Sequence, residues 1–245
     1  MSEKLSTFTW IKSNLLTIFY AILIALVIRT FLFQPFFIPS SSMEPTLLVG
    51  DRIFVSKFSY GYSRYSFPFG IPVLNKRILF NEPKRGDVVV FKTPDSEKID
   101  YIKRLLGLPG DKIQMINGDL FINGESVIRK KLREDNKILK NGRIINVDVY
   151  KESLQNKKSF ETYSYLEDGP GDNTQIFIVP EGHYFMLGDN RDNSKDSRFI
   201  GPIPKENLVG KAQIIFFATK DGSKIIEFWK WPFDIQFARL LKFIN

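Results

Sequence analysis

Residues 111–126, Asp-Lys-Ile-Gln-Met-Ile-Asn-Gly-Asp-Leu-Phe-Ile-Asn-Gly-Glu-Ser, hold two short apolar runs, Lys112–Met115 and Leu120–Ile122, each leading into an Asn-Gly pair. Asn-Gly suits a type I′ hairpin turn, in which both central residues take positive φ. The stretch therefore predicts antiparallel strands joined by tight turns. The same texture extends in both directions. Arg52–Val55, Asp87–Phe91, Ile99–Lys103, Gln175–Val179, His183–Leu187 and Ala212–Phe217 are short runs, many rich in Val, Ile, Phe and Tyr. Turn signals such as PKRGD at 83–87 and LPGD at 108–111 separate them. Between residues 45 and 220 there is no long amphipathic helical pattern, and no internal repeat is visible. The predicted fold class is mainly β, a barrel or sandwich.

Upstream of this region the chain changes character. Ser13–Ile28, SNLLTIFYAILIALVI, is a run of 16 uncharged residues. As a helix it would span about 24 Å at 1.5 Å per residue, and the hydrocarbon core of a bilayer is roughly 30 Å. The flanks close the gap. Phe8, Trp10 and Ile11 precede Lys12, while Phe31, Leu32 and Phe33 follow Arg29. Both cations can snorkel outward, and a tryptophan suits an interface. Pro35 and Pro39 then oppose further helix. No small-x-small cleavage site follows the run, which argues against a removable leader. Its lack of a polar stripe argues against a buried core helix. A single membrane span over residues 13–33 is the expectation, with residues 1–12 cytoplasmic and the remainder translocated.

The chain has 245 residues, a formal net charge of +8, one histidine and no cysteine. The missing cysteines exclude a disulfide, a thiol nucleophile, an Fe–S cluster and a Cys-ligated zinc. The single imidazole, His183, excludes multi-histidine metal sites. It lies at a strand start in Glu-Gly-His-Tyr-Phe with no adjacent Asp partner. Residues 129–158 carry ten Lys and Arg against four Asp and Glu, and so supply +6 of the total charge. Tyr150 is the only aromatic residue in that stretch, too few for a nucleic-acid surface. It reads either as a solvated inserted lobe or as a face turned to anionic lipid. No nucleic-acid partner is expected. The final stretch, FWKWPFDIQFARLLKFIN at 228–245, fits a membrane interface and equally a terminal helix packed on the β domain.

Three stretches could carry chemistry. Pro39-Ser-Ser-Ser-Met-Glu-Pro-Thr46 sets three serines in a rigid, non-helical segment; taken alone, it could also be a linker. Asp100-Tyr-Ile-Lys-Arg104 places Ile99, Tyr101 and Lys103 on one strand face and Asp100, Ile102 and Arg104 on the other. Lys103 is then either a buried lysine among apolar neighbours or a cation on a wet edge. Gly188-Asp-Asn-Arg-Asp-Asn-Ser-Lys-Asp-Ser-Arg-Phe-Ile-Gly201 is dense in polar residues. It fails as a calcium loop, because from Asp192 the sixth position is Ser197 and the twelfth is Ile203. It reads instead as a bonded network in which Asp196 and Arg198 can pair. No GxSxG, Walker A, GxGxxG or HExxH motif is present. With Cys absent and His183 discounted, a hydrolytic nucleophile needs Ser or Thr and another base. A neutral lysine serves if it sits in an apolar pocket, because desolvation disfavours the ammonium.

In this order and context, IPSSSMEPTLLVGD, RGDVVVF, DYIKRLLGLPGD and GDNRDNSKDSR resemble the motifs of the bacterial type I signal peptidases. The resemblance covers residues 10–220 and implies a β-rich catalytic domain with an inserted β lobe behind one transmembrane helix. It implies a nucleophile at Ser42, a general base at Lys103 and an oxyanion donor at Ser40. It further implies that Ser194 orients the lysine and that Asp196 and Arg198 brace the loop. Phe36, Ile38, Val90 and Ile102 would wall small substrate pockets. The implied organisation is a catalytic β domain at 34–112 and 177–220, an inserted lobe at 113–176 and a C-terminal segment at 221–245. The implied activity is a serine endopeptidase without metal or cofactor, cutting signal peptides after small-x-small sites. It would act from the bacterial cytoplasmic membrane, in contact with lipid, with its catalytic domain outside. A peptidase devoted to one precursor and a silent lipid- or partner-binding module are the rival readings.

Overall fold

The computed structural model describes residues 2–67, 74–94, 96–138, 142–220, 223 and 227–244. The side chains of residues 2–11, 97 and 98 lie outside that description, so the interfacial reading of Trp10 does too.

Helix α1 (Ser2–Val27) carries the apolar run and widens into a π-helical turn at Ile28–Leu32. The apolar part, Lys12–Leu32, is 21 residues long. At 1.5 Å per residue this is about 31 Å, enough to cross a bilayer. Leu15, Ile18, Phe19, Ile22 and Ile24 are all more than half exposed. No protein core covers them, which removes the buried-helix reading. The span stops one residue before the expected boundary, because Phe33 opens strand β1 (Phe33–Phe37). Pro35 biases Gln34 away from helical backbone. It is tolerated because β1 is the edge strand of its sheet.

The remaining strands are β2 (Asp51–Ser56), β3 (Val88–Thr93), β4 (Ser96–Gly107), β5 (Lys112–Ile116), β6 (Asp119–Ile122) and β7 (Glu125–Ser126). They continue with β8 (Ile128–Ile138), β9 (Ile144–Ser153), β10 (Ser159–Ser164), β11 (Phe177–Ile178) and β12 (His183–Leu187). A short helix α2 (Ser197–Ile200) is followed by β13 (Ile203–Pro204) and β14 (Leu208–Ala218). A one-turn helix α3 (Trp231–Asp234) and β15 (Lys242–Phe243) end the order. The main sheet runs β1-β2-β14-β3-β4-β12-β13, with β15 paired to β14. Strand β3 is buried on both faces. Val88 and Val90 enter one core cluster, and Val89 and Phe91 enter another. This explains why its sequence is a continuous apolar run without polar alternation.

Residues 112–178 build two further sheets, β11-β5-β6-β7 and β10-β9-β8. The Asn-Gly turns form as expected. Asn117 and Gly118 have φ of 49° and 78°, and Asn123 and Gly124 have 56° and 85°. These sheets share an apolar cluster with the main one: Ile113, Met115, Leu120 and Phe160 meet Leu106, Phe185 and Leu187. The basic stretch is a long two-stranded ribbon, β8–β9, with β10 on its far side. Much of its charge is locally paired, as in Lys131 with Glu134 and Asp148, and Arg133 with Asp135 and Glu161. The C-terminal segment is not a packed terminal helix. Pro232 lies in the first turn of a four-residue helix. The chain then turns back so that β15 pairs with β14 and Ile244 enters the core. Phe228, Trp229, Phe233, Phe237 and Phe243 remain more than 60% exposed.

Candidate active site

The segment leaving β1 turns sharply at Ser41–Leu47 before entering β2. Met43 and Leu47 are fully buried in the cluster with Ile53 and Val55 and act as plugs for this turn. Their burial leaves Ser42 at the turn's polar surface. The polar side is held by the loop after β12. Asn190 N–H donates to Ser42 O at 3.1 Å, Asn190 Nδ2 to Ser41 O at 3.1 Å and Asn193 Nδ2 to Ser41 Oγ at 2.7 Å. Thr46 Oγ1 donates to Asp189 Oδ2 at 2.5 Å. The Ser42 N–H makes no hydrogen bond among the described residues.

Strand β4 brings Lys103 to this turn. Its Nζ lies 2.6 Å from Ser42 Oγ and 2.9 Å from Ile102 O. The lysine is 4% exposed. Burial pushes its ammonium down to about 8, against the pull of Asp196 and Asp189. No carboxylate forms an ion pair with it among the described residues. The amine can therefore lose its proton far more readily than a surface lysine. Of the face-mates expected to shield it, Tyr101 lies with its ring centroid 5.4 Å from Nζ, whereas Ile99 is 52% exposed.

The next residue, Arg104, points to the opposite face. It forms a bidentate pair with Asp189 at 2.8 and 2.7 Å, donates to Gly86 O and lies over the Phe160 ring. Arg104 and Asp189 are each 1% exposed. Sequence reasoning missed this pair. The strand alternation put Arg104 opposite Lys103, but nothing local named an acid 85 residues away. Asn190 and Asn193 were missed as clamps for the same reason.

Asp196 and Arg198 meet as expected. Asp196 accepts from Arg198 Nε and Nη2, each at 2.9 Å, and also from Gly188 N–H at 2.9 Å. Asp196 also caps α2 by accepting from Arg198 N–H. Ser194 departs from expectation. Its Oγ is buried and has no hydrogen-bond partner among the described residues. It is wedged against Gly188, where a Cβ would come within 2.2 Å of Ser194 Oγ and 2.6 Å of Ser42 O. Lys103 is drawn instead to Ser42 Oγ and the Ile102 carbonyl. Gly188 is thus required by close approach, since any side chain there would drive the loop off the turn. Ser40 is exposed, and its hydroxyl has no described partner.

The four apolar positions gather in one cluster, which also holds Met43 of the nucleophile turn. Ile38 and Val90 are buried, and half-buried Phe36 and Ile102 pack on the same cluster. Ile102 is the register partner of Val90. His183 stands apart from this group: among the described residues its Nδ1 hydrogen-bonds with Glu181 O alone, and its strand pairs with β13. Among the described residues no group of three or more His, Asp or Glu could hold a metal ion.

The arrangement is a hydroxyl and a desolvated amine at hydrogen-bond distance, next to a free backbone N–H and an apolar wall. These are the parts of a lysine-assisted serine hydrolase. Comparison with known proteins shows the family. The family model described as signal peptidase, peptidase S26, matches residues 9–217. A signal peptidase I from Rickettsia typhi is 43% identical over 95% of this chain and 93% of its own length. One from Rickettsia prowazekii is 42% identical over 91% and 90%. A crystal structure of a signal peptidase I from Enterococcus faecalis has 31% identity over 54% of this chain and 97% of that chain, with a TM-score of 0.31. The chain therefore belongs to the peptidase S26 signal peptidases, serine endopeptidases that cleave signal peptides from preproteins.

Proposed function

We propose that Ser42 and Lys103 form the catalytic dyad of this peptidase. Neutral Lys103 takes the Ser42 proton as Oγ attacks the scissile carbonyl. The Ser42 N–H and the Ser40 hydroxyl receive the oxyanion. Lys103 then protonates the leaving amine and activates water to release the acyl group. The observation that carries this reading is the 2.6 Å contact between a buried amine and a serine hydroxyl. Ser194 fills space behind the nucleophile turn, and the Asp196–Arg198 pair keeps the loop closed. Phe36, Ile38, Val90 and Ile102 select small side chains before the cut, as in a small-x-small segment. No metal or cofactor enters the reaction.

The protein acts at the bacterial cytoplasmic membrane, crossing it once, with the catalytic domain on the outer side. The exposed apolar helix supports this location. The exposed aromatics of residues 228–243, interleaved with Lys230 and Lys242, support contact with lipid headgroups.

The pH profile tests the base. Lys103 is active as a base only when deprotonated, and burial places its pKa at about 8. The value of kcat/KM for a preprotein should thus rise about tenfold per pH unit below that point and level off above it. A profile flat from about pH 6 to 9 would remove Lys103 from this role. Ser40→Ala tests the oxyanion donor. It should lower kcat by about 10²-fold with KM little changed, the loss typical of one such donor. Unchanged kcat would leave the Ser42 N–H as the sole donor from this turn.

A further inference from the structure

The basic ribbon reads as a solvated appendage in the sequence, yet Lys137 of its strand β8 reaches the nucleophile turn. Lys137, near the end of β8, forms an ion pair with Glu44, two residues after Ser42. The side chains are only 20% and 10% exposed, respectively. Lys137 Nζ also lies 5.9 Å from the centre of the Tyr163 ring, on β10. A cavity of about 270 Å³ lies between turn and ribbon, lined by Glu44, Leu48, Lys137, Val147 and Tyr163 among others. Other groups close to Glu44 are Arg239, whose guanidinium also binds Asp51, and Asp51 itself.

The lobe is tied to the other side of the site as well. Glu152 on β9 pairs with Arg191 at 2.6 Å, and both are almost wholly buried. Thr162 Oγ1 donates to the same carboxylate at 3.2 Å. Tyr163 N–H donates to Asp189 O at 2.9 Å, and Asp192 Oδ2 accepts from Tyr165 N–H at 2.6 Å. Asp189, Arg191 and Asp192 flank Asn190, whose N–H holds the Ser42 carbonyl. The lobe therefore grips both the turn bearing the nucleophile and the loop that clamps it.

We propose that Lys137 is a positioning residue for catalysis. By holding Glu44 from the inserted lobe, it fixes the 42–44 backbone so that the Ser42 hydroxyl and N–H keep their aim. This rests on the reading of Ser42 as the nucleophile. Its consequence is that part of the turnover rate resides in a ribbon whose described residues form no hydrogen bond or ion pair with Ser42 or Lys103. Alignment errors of the order of an ångström at a nucleophile cost up to about 100-fold, so a partial loosening should be measurable.

The test uses the full-length chain in detergent micelles. Lys137→Met keeps the aliphatic stem and removes the charge; Lys137→Arg keeps the charge; Ser42→Ala runs in parallel. Two substrates are compared: a peptide spanning a small-x-small cleavage site, and a thioester that ends at the scissile carbonyl with a small thiol leaving group. We expect Lys137→Met to lower kcat about tenfold on both substrates, with KM within about twofold. Lys137→Arg should stay within about threefold of the parent. The thioester has no residues beyond the cut, so loss on both substrates places the defect at the nucleophile. The proposal is overturned if Lys137→Met keeps the parental kcat, or loses only in KM. It is equally overturned if the loss is confined to the peptide or if Lys137→Arg is as poor as Lys137→Met. Activity surviving in Ser42→Ala would instead overturn the assignment of the nucleophile itself.

Discussion

Replacing Lys103 with Ala should lower kcat on a preprotein substrate by about 10⁴-fold or more, since losing one member of a nucleophile–base unit costs nearly as much as losing both. Ser42→Ala should fall to the same floor, and the double variant should fall no further. The structure explains why no other group can stand in. Lys103 Nζ is the base within hydrogen-bond reach of Ser42 Oγ among the described residues. His183 lies on β12, where it contacts Glu181 O. His183→Ala should keep full activity. Single-turnover cleavage of a labelled preprotein checks all four variants. Substantial turnover in Lys103→Ala, or additive losses in the double variant, would show that the two residues do not act as one unit.

Arg104→Met should cost about 3–5 kcal/mol of stability, the usual result of removing one partner from a buried ion pair. The loss comes less from the missing attraction than from what remains. Asp189 is 1% exposed, and without Arg104 its carboxylate keeps, among the described residues, the Thr46 hydroxyl as its side-chain partner. Arg104 also covers Phe160, where the inserted lobe meets the main sheet. The variant should therefore loosen that junction as well as the nucleophile turn. Adding Asp189→Leu removes the stranded charge and should recover more than half of the lost stability without restoring turnover. Denaturant midpoints of the full chain in micelles measure both changes. Equal midpoints for parent and Arg104→Met would show that the pair contributes nothing. A double variant weaker than the single one would show that packing, not the buried charge, dominates.

Most of the architecture was legible because its causes are local. Asn117-Gly118 and Asn123-Gly124 take positive φ as their residue types demand, and this fixes the hairpins. The uncharged run before Arg29 needed only its length and lack of a polar face to be read as a span. The Asp196–Arg198 pair was legible because its partners lie two residues apart. The contacts that escaped are those between residues distant in sequence. Glu44 and Lys137 are separated by 93 positions, and Arg191 and Glu152 by 39. In the sequence, Lys137 is one of ten cations in a stretch that looks solvated, and only the lean of the β8–β9 ribbon distinguishes it. Ser194 shows the opposite failure. The motif located it near the lysine, but whether its hydroxyl bonds Nζ depends on sub-ångström crowding against Gly188, which residue identity does not encode. In the sequence the C-terminal segment fits a membrane interface and a packed terminal helix equally, because its aromatics allow both. Pro232 and the free edge of β14 decide otherwise.

The join between α1 and β1 has mechanical meaning. The helix enters the sheet through the single π-helical turn at Ile28–Leu32. Lys57 N–H grips Leu32 O at 2.9 Å, and Tyr62 Oη grips Phe31 O at 3.0 Å. The helix thus runs directly into β1, and two hydrogen bonds tie its last turn to the domain. Backbone continuity and these two contacts are the routes by which a tilt of the helix reaches the sheet. Ser42 follows Leu32 by ten residues, so the chain itself keeps it within about 36 Å of the end of the apolar helix. The molecule carries its own tether, which limits how far the nucleophile can stand from the end of the apolar helix.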